Sequence, residues 1–105
     1  MNKLFSHSVY FWLKPDITIA DKINFEKGAK TLLSTRGLLF GHIGIAANTR
    51  RDVIESTYHY NLLLVFKDQE AHDDYQTIDE THQKFIVNCR KYWEKIKIYD
   101  SIQID

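Results

Sequence analysis

The sequence predicts an α+β fold whose elements run in the order β-α-β-β-α-β. Three observations carry that expectation. Two segments, Phe5 to Lys14 and Thr57 to Phe66, alternate their large apolar residues with a period of two, the spacing of a strand. Thr18-Ile19-Ala20-Asp21 has capping-box form and opens a stretch with helical apolar spacing. The C-terminal segment alternates again after a second helical stretch that starts at Asp68.

In the first strand, Phe5, His7, Val9, Phe11 and Leu13 point one way, and Ser6, Ser8, Tyr10, Trp12 and Lys14 the other. Both rows carry large apolar groups, so both faces are expected to be at least partly covered. Pro15 stops the strand because it has no N–H for the ladder. With Thr18 as N-cap, Phe25, Ala29, Leu32 and Leu33 fall on one helical face, and Gly37 is placed to end that helix. Leu38 to Ala47 reads as a strand interrupted by Gly41 and Gly44, which predicts a bulge or a close backbone approach. Asn48 to Ser56 is polar and reads as a loop.

In the strand from Thr57 to Phe66, Tyr58, Tyr60, Leu62, Leu64 and Phe66 share one face, and His59, Asn61, Leu63 and Val65 the other. A helix capped by Asp68 is expected to run through Tyr75 and break near Ile78-Asp79. A further helix then holds His82, Phe85, Ile86 and Cys89. The last strand sets Ile96, Ile98, Ile102 and Ile104 against Lys95, Lys97, Tyr99 and Gln103. This order is the split βαβ arrangement of ferredoxin-like folds, with helices on one face of an antiparallel sheet. The other face carries Tyr10, Trp12 and Leu63, too apolar to leave in water, so a second copy of the chain is the expected cover.

Length and composition bound the function. A chain of 105 residues is expected to be one domain, spanning 1–105. Its 14 basic and 14 acidic residues cancel, so nothing steers it to nucleic acid or to an anionic membrane. One cysteine, Cys89, cannot form an intrachain disulfide. Met1 to His7 lacks the apolar core of a signal peptide, and no apolar run is long enough to span a bilayer, so the expected location is the cytoplasm. Aromatic residues make 13% of the chain, which suits a dimer interface, a ligand pocket or an aromatic core.

The segments His7-Ser8-Val9-Tyr10-Phe11-Trp12-Leu13-Lys14-Pro15, Tyr58 to Phe66 with the turn Lys67-Asp68, Tyr75…His82…Phe85, and Trp93-Glu94-Lys95 leading into Ile98-Tyr99-Asp100 follow one another in a distinctive order. In that order and spacing the chain resembles the stress-responsive α/β-barrel (Dabb) family over nearly its whole length. The resemblance implies a homodimeric α+β barrel, two sheets packed face to face with helices outside. Most members have no established activity. A plant branch, olivetolic acid cyclase, closes a linear polyketide thioester into an aromatic acid without a metal or organic cofactor.

Carried over from that branch, the catalytic positions are Tyr75, His82 and His7. The implied pocket wall is Val9, Phe11, Leu62, Leu64, Phe85, Trp93, Ile96 and Ile98. The chain departs from the cyclase pattern in one place. Tyr75 and His82 lie seven residues apart, one more than the pattern, and Asp79-Glu80-Thr81 replaces the His-Pro pair that usually precedes the histidine.

A histidine is a general base near neutral pH, and a tyrosine hydroxyl can donate to a developing enolate. His82 and Tyr75 in an apolar pocket would therefore suit proton abstraction beside a carbonyl. The alternative is that both merely tie helix to sheet as satisfied polar groups. His42, His59 and His72 have no metal-ligand spacing and read as surface or structural residues; no metal and no cofactor are expected. Cys89 reads as an inert buried thiol. Glu70, Asp73, Asp74, Asp79 and Glu80 read as water-facing carboxylates.

Two functions follow. One is binding of a small apolar carbonyl or phenolic ligand, with cofactor-independent cyclase or isomerase chemistry as its catalytic form. The other is a non-enzymatic, stress-associated protein whose barrel is filled by its own side chains. A monooxygenase of the dimeric-barrel type, cofactor-free or haem-related, is a distant third.

Overall fold

The computed structural model of this protein describes residues 3–105; the part of the leader reading that falls on Met1 and Asn2 lies outside them. The strands are β1 (Phe5–Leu13), β2 (Leu38–Gly44), β3 (Tyr60–Phe66) and β4 (Trp93–Ile102). The helices are α1 (Ile19–Thr31), α2 (Gln69–Thr77) and α3 (Glu80–Cys89). Short 3₁₀ turns follow α1 at Leu32–Ser34 and α3 at Arg90–Tyr92. The four strands form one antiparallel sheet in the order β2-β3-β1-β4, the ferredoxin-like topology.

The expected periodicities hold where they matter for packing. Along β1, burial alternates residue by residue, with Phe5, His7, Val9, Phe11 and Leu13 buried. They meet Tyr60, Leu62, Leu64 and Phe66 from β3, and Phe25, Ala29, Leu32, Ala71, Tyr75 and Phe85 from the helical side. Phe11 lies at the centre of this core, with the rings of Phe25, Trp93 and Phe85 5.0, 5.1 and 6.0 Å away.

Side-chain caps set the helix starts. The Thr18 hydroxyl accepts the Asp21 N–H and the Asp21 carboxylate accepts the Thr18 N–H, a complete capping box. Asp68 caps α2 through the Ala71 N–H, and Asp79 caps α3 through the His82 N–H. The break between α2 and α3 falls where the spacing places it. The N–H groups of Ile78 and Asp79 both go to the Asp74 carbonyl, and the chain then restarts on the Asp79 cap.

Three boundaries differ from expectation. First, α1 gives way to a 3₁₀ turn at Leu32, and Gly37, at φ +83°, turns the chain into β2 instead of capping α1. Second, β3 begins at Tyr60, not Thr57. The His59 N–H still reaches the Phe11 carbonyl at 2.8 Å, but the Thr57 hydroxyl takes the Trp12 indole N–H at 2.9 Å and His59 Nδ1 takes the Leu13 N–H at 2.9 Å, so side chains share the pairing there. Third, β2 stops at Gly44. Its register shifts between Leu38 and Phe40, and a methyl group at Gly41 would lie 2.7 Å from the Leu63 carbonyl oxygen, so the bulge and the close approach both occur.

The second face of the sheet is not covered by any helix of this chain. Tyr10, Trp12, Tyr58, Tyr99, Glu55, Lys95 and Lys97 line a concavity of about 380 Å³ there. Tyr10 packs edge-on against Tyr58 and Tyr99, and the Lys95 ammonium sits 4.4 Å from the centre of a Trp12 ring. Among the described residues, no helix is long and apolar enough to cross a membrane.

Candidate functional site

The buried polar groups collect at one end of the sheet, under α2 and the start of α3. His7 is the polar member of the buried row of β1, and register sets it directly opposite Asp100 of β4. Its Nδ1 lies 2.6 Å from Asp100 Oδ1. A carboxylate only accepts, so this His7 nitrogen carries the proton. A carboxylate so close would by itself favour the imidazolium. Burial acts more strongly in the other direction and holds the His7 pKa below the ordinary histidine value, with Asp100 opposing it. His7 is 2% exposed, whereas the Asp100 side chain is 40% exposed and its charge is shared with water.

His72 comes next, on the first turn of α2. Sequence reasoning placed it among surface or structural histidines, yet it is 7% exposed and packed into this cluster. Its ring stacks on Phe5 at 4.2 Å, meets Phe66 edge-on at 5.7 Å and lies 5.0 Å from the His7 ring. Nδ1 sits 3.0 Å from the Asp73 carboxylate, while Nε2 is buried without a hydrogen bond to protein and stands 3.9 Å from Asp100 Oδ2. Asp73, read as water-facing, therefore orients a buried ring.

Tyr75, one turn further along α2, is buried between His7 at 5.7 Å, Phe66 at 5.4 Å and His82 at 4.4 Å, ring centre to ring centre. Burial, and secondarily the Asp79 charge, pushes its hydroxyl pKa well up, so it is a proton donor throughout the neutral range. His82 enters from the first turn of α3, where the Asp79 cap fixes its backbone. Its Nδ1 is buried with no hydrogen-bond partner in the protein. Burial lowers the His82 pKa, against the pull of Asp79, and leaves a neutral imidazole.

The structure thus brings His7, Tyr75 and His82 together and adds His72 and Asp100. The predicted wall residues separate into two groups. Val9, Phe11, Leu62, Leu64 and Phe85 are packed against one another in the core, with half-buried Trp93 against them. Ile96 and Ile98, opposite Phe11 and Val9 on edge strand β4, are 37% and 47% exposed. The concavity that reaches Tyr75, about 490 Å³, opens on the outside of α2 between Arg36, Lys67, Asp74 and Glu80, and includes neither His7 nor His82.

A signal for Asp100 was present in the sequence. It interrupts the row Ile96, Ile98, Ile102, and the register sets it opposite His7. His72 had no such signal, because its burial depends on how α2 lies over Phe5 and Phe66.

No curated protein matches this chain. Solved structures do, and their likeness concerns the fold. A Dabb-family protein with a ferredoxin-like fold from Mesorhizobium loti shares 23% identity over 99% of this chain and 100% of its own, at a TM-score of 0.77. A hydroxynitrile lyase from Passiflora edulis shares 11% identity over 100% of this chain and 97% of its own, at 0.80. A dimeric ferredoxin-like protein of unknown function from Thermobifida fusca shares 10% identity over 98% of this chain and 93% of its own, at 0.79. Residues 5–103 match the stress responsive A/B barrel domain, and the chain therefore belongs to the Dabb family.

Proposed function

We propose that this protein is a homodimer that binds a small carbonyl or phenolic ligand at the His7–Tyr75–His82 cluster and transfers a proton beside the carbonyl. The observation that carries the reading is His82 Nδ1, a buried nitrogen with no protein partner on a ring 4.4 Å from that of Tyr75. A buried polar atom left free by the fold costs stability, and such atoms are characteristic of sites that bind something.

In this reading the neutral His82 is the base. The Tyr75 hydroxyl, held protonated by burial, donates to the developing enolate oxygen. His7, fixed by Asp100, orients the ligand. The core behind them is packed, so the ligand would be small and would approach Tyr75 from the concavity that Ile78 and Asp79 also line. Several neighbours of the same fold are dimeric, and the aromatic face of Tyr10, Trp12, Tyr58 and Tyr99 is the surface that a second copy would cover. The Passiflora neighbour is named a hydroxynitrile lyase, so this fold hosts at least one enzyme.

The test is exchange of the α-proton of a simple aryl ketone for deuterium, followed by NMR. The protein should exceed an equal concentration of free imidazole by a factor on the order of 10² or more. His82→Ala should remove the acceleration and Tyr75→Phe should reduce it, with the dimer intact by native mass spectrometry. Exchange no faster than imidazole, with no ligand-induced shifts at the cluster, would reject the catalytic and the binding readings together.

A second reading has its own support. Val9, Phe11, Leu62, Leu64 and Phe85 fill the space between sheet and helices, which supports the non-enzymatic alternative of a protein packed with its own side chains. That protein would show the dimer and none of the ligand effects.

A further inference from the structure

We propose that His7, His72 and Asp100 form a binding site for a divalent transition-metal ion, with Asp73 as the residue that positions His72. One ligand atom from each of His7, His72 and Asp100 lies within 4.8 Å of the others. Two imidazoles and a carboxylate at that spacing are the donor set of open three-ligand sites for zinc, cobalt(II) and related ions.

A second observation concerns His72. Asp73 can only accept, so His72 Nδ1 carries a proton and, in the neutral ring, Nε2 presents its lone pair. That lone pair is buried, makes no hydrogen bond to protein and faces Asp100 Oδ2 at 3.9 Å. The distance is too long for a hydrogen bond, and a nitrogen lone pair and a carboxylate oxygen at this separation can be spanned by one cation that both coordinate. The outer carboxylate on the far ring nitrogen is the usual means of fixing a metal-bound histidine.

The surroundings fit the same reading. Phe5 and Phe66 hold the His72 ring from two sides, so Nε2 has little freedom to turn away. Asp100 is partly exposed and supplies both the negative charge and the path from solvent. The His7 Nδ1 proton is now shared with Asp100, so on binding it moves to Nε2 or to water and Nδ1 takes the ion. One Asp100 oxygen and His72 Nε2 complete the ligand set. This site shares His7 and Asp100 with the proposed ligand cluster but not His82 or Tyr75, and it is measured without any organic ligand.

The experiment is calorimetric titration of the chelator-treated full-length protein with Zn²⁺ alone, and visible absorption with Co²⁺ alone. Wild type should bind one ion per chain, with cobalt bands of a low-coordinate site. His72→Phe keeps a ring stacked on Phe5 and should weaken Zn²⁺ at least ~100-fold; Asp100→Asn should do the same. Asp73→Asn, which removes only the positioning carboxylate, should weaken it about 10- to 100-fold. His42→Gln and His59→Gln should change nothing. If wild type takes up no stoichiometric Zn²⁺, or if folded His72→Phe binds as tightly as wild type, the site does not exist. Binding lost in the His42 or His59 variants instead marks an adventitious surface ion and overturns the proposal equally.

Discussion

Strand β1 builds two unlike surfaces from nine consecutive residues. Phe5, His7, Val9, Phe11 and Leu13 lie beneath the helices and are buried. Ser6, Ser8, Tyr10 and Trp12 face the other way and remain half-buried, although Tyr10 and Trp12 are as large as anything in the core. The same alternation thus yields a finished surface and an unfinished one. Period two decides which side chains share a face; only the helices that follow decide which face is covered. The comparison also isolates His7. It is the polar residue in the covered row, and its partner Asp100 comes from the edge strand, the one place where that row reaches solvent.

The largest test of this contrast sets Phe11 against its neighbour Trp12. Phe11→Ala removes a ring packed among Phe25, Phe85 and Trp93 and should cost about 3–5 kcal/mol in urea unfolding. Trp12→Ala removes a larger ring but should cost the protomer about 1 kcal/mol, since its contacts are Lys95, the Thr57 hydroxyl and Tyr58 at a solvent-facing surface. Trp12→Ala should instead weaken self-association in sedimentation. An equal loss from the two substitutions at protein concentrations where only monomer is present would break the contrast.

A smaller effect separates two glycines at opposite ends of β2. Gly37 combines φ +83° with a contact in which an added methyl group would stand 2.8 Å from the Ala71 side chain, beside His72. Gly37→Ala should cost about 1–3 kcal/mol, because both the backbone and α2 must give way. At Gly44 an added methyl would meet nothing closer than the His42 ring at 3.8 Å, with no left-handed backbone, so Gly44→Ala should lie within about 0.5 kcal/mol of wild type. Thermal unfolding of the two variants side by side measures the difference.

The fold was legible in the sequence because its signals are local. Alternation, the Thr18-Asp21 capping box and the aspartates at 68 and 79 act within a few residues of one another, and β1 and the three helices each follow from one of them. Thr57 to His59 misled because their alternation continues that of β3, while only the His59 N–H keeps a backbone bond to β1 and a hydroxyl and an imidazole make the other contacts. The site was half legible. His7, Tyr75 and His82 do converge. His72 joins them through a helix-on-sheet contact, with Phe5 sixty-seven residues away in the chain, that no spacing encodes. Residues expected to wall a pocket are instead the core, because large apolar side chains facing one another across a sheet and helices pack together.

The smallest effect tests whether the polar group in the covered row behaves as a buried one. The His7 pKa in the folded protein lies below the unfolded value near 6.5, burial being the main cause and Asp100 the main opposing one; His82 is shifted in the same direction, also by burial. Between the folded and unfolded pKa values the unfolded chain binds more protons, so stability rises with pH across that window. The contribution is complete above about pH 6.5 and is lost as pH falls towards the folded values. Melting temperature should therefore drop on acidification from pH 7, before the carboxylates titrate. His7→Gln and His82→Gln should each flatten part of that slope. Asp100→Asn should move His7 the other way from a simple loss of stabilising charge: without the carboxylate, burial acts unopposed and the His7 pKa falls further, as ¹H–¹³C NMR of the imidazole would record. A His7 pKa in wild type at or above the ordinary histidine value would mean that Asp100 outweighs burial. The covered row would then hold an imidazolium, and the contrast between the two faces of β1 would no longer be one of polarity.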